Sequence, residues 1–363
     1  MLKSGFPVLT VALLFVFAPL LSAKDDSRWL VPRSRVAQTD LKIIWQHNLP
    51  LADSETLDQL LVVDNRLLAL SSHNYLSCLN RADGNEMFSN FVAPPGLPVV
   101  AFESYKGELI TIVGDELVEI SADFGTEKTP TNVTGGVTCP VVRNDSFFYI
   151  AGIDKRLHAL RADDHIQVFE AAAENDSLIT SVLADKDVVV FATEAGNVVC
   201  IAAGGPRKLW QFDAPAAVAG LVVRDDTSLY FACRDASVYR LELSSGKLLW
   251  KYQTQAILDA SPQLGGRVVY QCVPDAGLIA LDKESVKKPL WQVPDGIGLL
   301  AESGDKAFVI TKAGMLVAMD NVKAKKLYSV DIGRPVKYAV NTVDSRIYIA
   351  DTRGRLACLQ PAQ

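Results

Sequence analysis

Histidine and methionine are scarce in this chain, with four of each among 363 residues. The histidines, His47, His73, His158 and His165, include no i, i+4 pair and no partnered Cys motif, which excludes the usual zinc-binding spacings. A Gly-rich phosphate loop, a nucleophile elbow, an EF-hand run and a Cys-x-x-Cys-His haem site are missing as well. No acid–base pair for hydrolysis is recognisable. No residue is therefore assigned a catalytic, cofactor-binding or metal-binding role, and no cofactor is expected. Basic charge is also in deficit, with 36 Lys and Arg against 42 Asp and Glu and a formal net charge of −6. That balance argues against nucleic acid as a partner, which needs clustered cations to displace phosphate counterions. It equally gives no polybasic patch for an anionic membrane surface.

Long apolar runs are confined to the first residues. Lys3 supplies a positive start, Val8 to Leu21 form an apolar stretch interrupted by Pro19, and Leu21-Ser22-Ala23 closes it. The stretch is too short to span a bilayer and has the layout of a secretory signal, with cleavage expected before Lys24. No Cys follows it to carry a lipid. The expected division is a signal peptide over 1–23, a linker over 24–40 and one repeat domain over 41–361. The mature chain is expected to be a monomer, periplasmic or secreted, without a transmembrane segment.

What is abundant is a short apolar segment that recurs about every forty residues. Its third residue falls at Leu76, Leu117, Leu157, Val198, Val238, Leu278, Leu316 and Leu356, at intervals of 41, 40, 41, 40, 40, 38 and 40. A β-branched or aromatic run precedes each copy, as in Val188-Val-Val-Phe191 and Ile347-Tyr-Ile349. An outer aromatic follows at Phe88, Phe169, Trp210, Trp250, Trp291 and Tyr328. Sustained helical periodicity is absent, and four short strands per repeat make one propeller blade. The last copy ends before its aromatic strand, whereas Lys42-Ile-Ile-Trp-Gln-His-Asn-Leu49 begins without partners and matches Leu209-Trp-Gln. The expected fold is all-β: an eight-bladed β-propeller of four-stranded antiparallel blades, closed by an N-terminal strand in the last blade. Closure of this kind removes a sheet edge that would template aggregation.

Leu241-Glu-Leu-Ser-Ser-Gly-Lys-Leu-Leu-Trp250 resembles the pyrroloquinoline-quinone-like repeat, which runs Ala-x-Asp-x-x-x-Gly-x-x-x-Trp. Weaker copies lead to Trp210 and Trp291, and the similarity covers residues 41 to 360. Two branches of that family have eight blades. One holds quinone-dependent dehydrogenases. The other holds the compact barrel-assembly factors of the BamB type and uncharacterised relatives, which serve as protein-binding scaffolds. The chain is similar to the second branch in length, but it lacks that branch's lipid-bearing Cys. The vicinal Cys pair of the dehydrogenases is absent. The resemblance therefore implies a non-catalytic exported scaffold that binds a protein or peptide on a propeller rim. A quinone-binding oxidoreductase or sensor using the central channel is the alternative.

Repeat register also sorts the tempting residues. Trp45, Trp210, Trp250 and Trp291 share one outer-strand position, where an indole can dock on the neighbouring blade with its N–H paired. Trp29 lies in the linker. Cys78, Cys200 and Cys358 take a place that Ala159, Ala280 and Ala318 fill elsewhere, so they act as small hydrophobes. Cys233 and Cys272 sit in adjacent blades and could bridge, and Cys139 could face the channel. Asp154, Asp163, Asp164, Asp235 and Asp275 fall in turns, where a side chain can cap its own backbone. Asn132, Asn144 and Asn175 open glycosylation sequons.

Overall fold

A computed structural model describes residues 28–362 apart from 134, 334 and 336. The signal-peptide reading over 1–23 lies outside those residues. Among the described residues, thirty-two strands form eight sheets of four, each an antiparallel meander. Blade 1 is typical, with strands Leu57–Val63, Arg66–Ser71, Tyr75–Asn80 and Glu86–Phe91 from the axis outwards. Blades 2 to 7 follow over 103–132, 142–171, 179–213, 218–253, 263–293 and 296–331. Blade 8 takes Lys337–Ala339, Ile347–Ala350 and Arg355–Pro361 from the C-terminal end. Its outer strand is Leu41–Asn48, paired antiparallel so that Trp45 faces Cys358. The N-terminal strand closes the ring as the repeat register requires.

A single slip in register repeats around the ring. In six blades the outer strand carries one extra residue immediately before its aromatic: Ile44, Met87, Val168, Leu209, Leu249 and Leu327. The bulge turns the aromatic inward and leaves the extra apolar residue outside. The four tryptophans of this position dock as expected. The Nε1–H groups of Trp45, Trp210 and Trp250 donate to the carbonyls of Arg81, Leu243 and Lys283 in the next blade, at 3.0, 3.0 and 2.7 Å. Trp291 donates to Asn321 Oδ1 at 2.8 Å. Gly84 and Gly246 receive two of these rings in positive-φ turns (+74° and +70°) where a Cβ would lie about 2.5 Å from the indole of Trp45 or Trp210. Glycine is required there for both backbone and space.

The hydrophobic core is divided into eight wedges, each filled from two neighbouring blades. Small residues at Cys78, Ala159, Cys200, Ala280, Ala318 and Cys358 lie opposite the outer aromatic and make room for it. The segment before the latch strand also joins the core. Leu30, Val31 and Val36, around the short helix Arg33–Val36, pack into the wedge between blades 7 and 8. Gln46 clamps this segment through both backbone groups of Val31, at 3.0 and 3.1 Å.

Candidate interaction surface

Most residues that carry chemistry are absorbed by the wedges. All six cysteines are free, and five of them are buried, with Cys272 half-buried. Cys233 and Cys272 are therefore not bridged. Cys139 is turned away from the channel into the core between blades 3 and 4. The turn aspartates behave as expected at Asp154 and Asp164, which accept from the N–H of Arg156 and Ile166. Asn144 is buried and its amide donates to Tyr149 Oη and the Asp185 carbonyl, so it is no glycan acceptor in the fold.

Two histidines do more than fill a strand. Blade 2 breaks the repeat, with Glu119 at the small-residue place and Lys128, bonded to its backbone, in place of an outer aromatic. Glu119 is 5% exposed and meets His165 Nε2 at 3.2 Å, Lys128 at 3.3 Å and Arg143 at 3.4 Å. Burial, together with the neighbouring Glu108 carboxyl, raises the Glu119 pKa. The Arg143 guanidinium lies between the rings of Tyr105 and Phe148, at 4.7 and 4.4 Å. His158 pairs with Asp154 at 2.9 Å, and both histidines border a small cavity of about 100 Å³. Among the described residues no group of three or more His, Cys, Asp or Glu could hold a metal ion. The network substitutes paired charge for the aromatic plug of the other wedges.

The surface becomes informative once the repeat-imposed residues are removed. Ile44, Met87, Val168, Leu209, Leu249 and Leu327 are 37–46% exposed because every bulge exposes one apolar side chain. They mark the architecture and no particular partner. The other exposures are singular. Phe91 at 64%, Ile153 at 62% and Leu97 at 45% lie on the rim formed by the blade-to-blade connections and the turns between second and third strands. Val343 at 81%, Phe124 at 78%, Val322 at 59% and Ile166 at 56% lie on the opposite rim. Phe91 ends the outer strand of blade 1, its ring 4.9 Å edge-on from Tyr75. The loop Pro94-Pro95-Gly96-Leu97-Pro98 follows, tied down by Asn74, whose amide donates to the Pro94 and Leu97 carbonyls at 2.9 Å each. Ile153 stands on the neighbouring turn of blade 3 and leans on Gly136 of the incoming connection. The same rim over blades 4 to 8 shows one comparable residue, Ile257 at 58%. On this rim the apolar side chains therefore concentrate in the sector of blades 1 to 3. The loops that carry them are held by proline and by side-chain bonds, so the surface is preformed. This sector was not legible from repeat spacing, because these residues lie between the repeated segments; large apolar residues at loop positions were the available signal.

The opposite rim carries cavities where adjacent blades diverge. One of about 420 Å³ opens between blades 4 and 5, and one of about 210 Å³ between blades 6 and 7.

Residues 194–297 match a family model described as the outer membrane protein assembly factor BamB. Among solved structures the chain is similar to the computationally designed Ika8 protein, at 13% identity and a TM-score of 0.68, over 86% of this chain and 98% of that one. It is also similar to BamB from Moraxella catarrhalis, at 13% identity and a TM-score of 0.66, over 88% of this chain and 99% of that one. No curated protein matches it. At such identities the structural likeness speaks for the fold. The chain is an eight-bladed β-propeller that resembles BamB in fold, with the family likeness in sequence over residues 194–297.

Proposed function

We propose that this chain is an exported, non-catalytic scaffold of the cell envelope that docks a protein or peptide on the rim of blades 1 to 3. In this reading residues 1–23 are removed as a signal and the propeller acts as a monomer, periplasmic or secreted. The observation that carries it is the clustering of Phe91, Leu97 and Ile153 on stiffened loops of one rim sector, where the repeat does not demand apolar residues. Covering each of these half-exposed side chains contributes on the order of 1–2 kcal/mol to association. The similarity to BamB supports a protein-interaction role at the coarse level.

Photo-crosslinking residues at positions 91 and 153 test the proposal in cells of the source organism. The expected outcome is one discrete adduct of the same mass from both positions, absent from position 343 on the opposite rim. Phe91→Ser combined with Ile153→Ser should remove the adduct made from position 97 while leaving the thermal midpoint unchanged. The same adduct from position 343, or none from the blade 1 to 3 sector, overturns the reading. Near-stoichiometric visible absorbance on adding pyrroloquinoline quinone with calcium would favour the quinone-binding alternative instead.

A further inference from the structure

The wedge between blades 4 and 5 is filled differently from two of its equivalents. On the rim of the first-to-second-strand turns, three wedges hold an arginine of the chain itself: Arg66 of blade 1 reaches Asp123 of blade 2, and in the other two the arginine sits on the carbonyl that accepts the outer indole. Between blades 5 and 6, Arg240 donates to the Lys283 carbonyl, which also accepts the Trp250 indole N–H. Its guanidinium carbon lies 5.7 Å from the centre of the Tyr230 ring, and Glu284 answers it at 3.5 Å. Between blades 8 and 1, Arg346 donates at 2.6 Å to the Arg81 carbonyl, which also accepts the Trp45 indole N–H. Each time one carbonyl uses two lone pairs, one for an indole and one for a guanidinium.

The wedge between blades 4 and 5 keeps the carbonyl, on Leu243 of blade 5, and lacks both arginines. Leu243 O accepts the Trp210 indole N–H at 3.0 Å and has no guanidinium on it. The place of Arg240 is taken by Cys200, as their shared pairing with the outer Trp shows. The place of Arg346, two residues before the central residue of the second strand, is taken by Val188. That central residue is Val190, where Tyr149, Tyr230, Tyr270 and Tyr348 stand in four other blades. The three small residues leave the cavity of about 420 Å³, with Cys200 and Val188 in its lining and Trp210 as a wall. Its volume falls within the range of roughly 300–1,000 Å³ usual for ligand pockets. Asp185, Asp187, Asp226 and Glu242 surround the opening. Arg224 pairs with Asp185, but the other three carboxylates form no ion pair among the described residues.

We propose that this wedge is a docking pocket for the guanidinium of an arginine side chain carried by a protein partner. The incoming group takes the free lone pair of Leu243 O, packs against Trp210 and is balanced by Asp187, Asp226 and Glu242. Planar donors against a carbonyl, an aromatic wall and carboxylates are the setting in which arginine outperforms lysine. The pocket lies on the rim opposite Phe91 and Ile153 and stands independently of the function proposed for that surface.

The probe is acetyl-Gly-Arg-Gly-amide, compared by calorimetry and tryptophan fluorescence on the full mature chain with its citrulline analogue, which keeps the shape and loses the charge. The arginine peptide should bind weakly but at least about tenfold more tightly than the citrulline peptide. Cys200→Arg, which mimics Arg240 of the next blade, should fill the wedge and abolish binding. Cys200→Ala, the residue of three other blades, should retain it. Asp187→Asn with Asp226→Asn acts at exposed positions outside the core and should weaken binding at least about fivefold even if Cys200→Arg fails to fold. Phe91→Ser with Ile153→Ser should leave peptide binding unchanged, so the two surfaces fail separately. Equal binding of the two peptides, no binding of either, or full binding by the double Asn variant overturns the proposal.

Discussion

Replacing Trp45 with alanine separates the ring-closing role of the latch strand from ordinary blade packing. Trp45 is 8% exposed, packs on Gly84 and Tyr348, and donates its indole N–H to Arg81 O. Truncating a buried Trp costs about 3–5 kcal/mol in transfer and cavity terms. Trp45→Phe keeps most of the apolar area and loses the hydrogen bond, so it should cost about 0.5–1.5 kcal/mol. Trp210 occupies the same repeat position but is half-buried and already borders a cavity, so Trp210→Ala should cost roughly half as much as Trp45→Ala. Only Trp45 sits on the strand that covers the edge of Arg355–Pro361, so its loss should also expose that edge and promote association. Urea unfolding followed by far-UV circular dichroism gives the energies, and size-exclusion chromatography reads the association. Equal losses for the two alanine variants, or a Trp45→Ala loss below about 1 kcal/mol, would refute the reasoning.

Two further outcomes follow from buried groups. Burial pushes the Glu103 carboxyl on the inner strand of blade 2 up to about 7, so the folded chain holds a proton that the unfolded chain has released. Stability should therefore fall as pH rises from about 4.5 to 7, by up to about 3 kcal/mol at pH 8, and Glu103→Gln should flatten that slope; an unchanged slope excludes it. Burial also pushes the thiols of Cys78, Cys200 and Cys233 up to about 11 and those of Cys139 and Cys358 up to about 12. Native protein at pH 8 should react with a thiol reagent first at the half-buried Cys272, with all six thiols available only after unfolding. A disulfide in the purified mature chain would contradict this arrangement.

This chain departs from its own repeat at particular wedges. Blade 2 replaces an aromatic plug by Glu119 and Lys128, with Glu119 meeting His165 of blade 3, and blade 4 has Val190 where four other blades have Tyr. Local departures from a repeat that the rest of the molecule obeys are where function can be looked for, because architecture alone does not require them.

Blade number, strand order and the latch were legible in the sequence because each depends on period and register, which a linear chain displays directly. Trp45 matched Trp210, Trp250 and Trp291 by position, and the structure gives each indole the neighbouring-blade partner that the match implies. The small-residue place of Cys78, Cys200 and Cys358 was equally visible. What spacing could not reveal was anything that depends on which blades meet across a wedge. Leu30, Val31 and Val36 read as linker yet pack against blades 7 and 8, more than 250 residues away in the chain. Cys139 turned from the channel to the core, and Glu119 found His165 only because blade 2 touches blade 3. The apolar rim and the acidic wedge belong to this second class. The sequence determined the ring by repetition; tertiary structure alone decided its surfaces, because a surface is made by side chains that become neighbours only after the ring has closed.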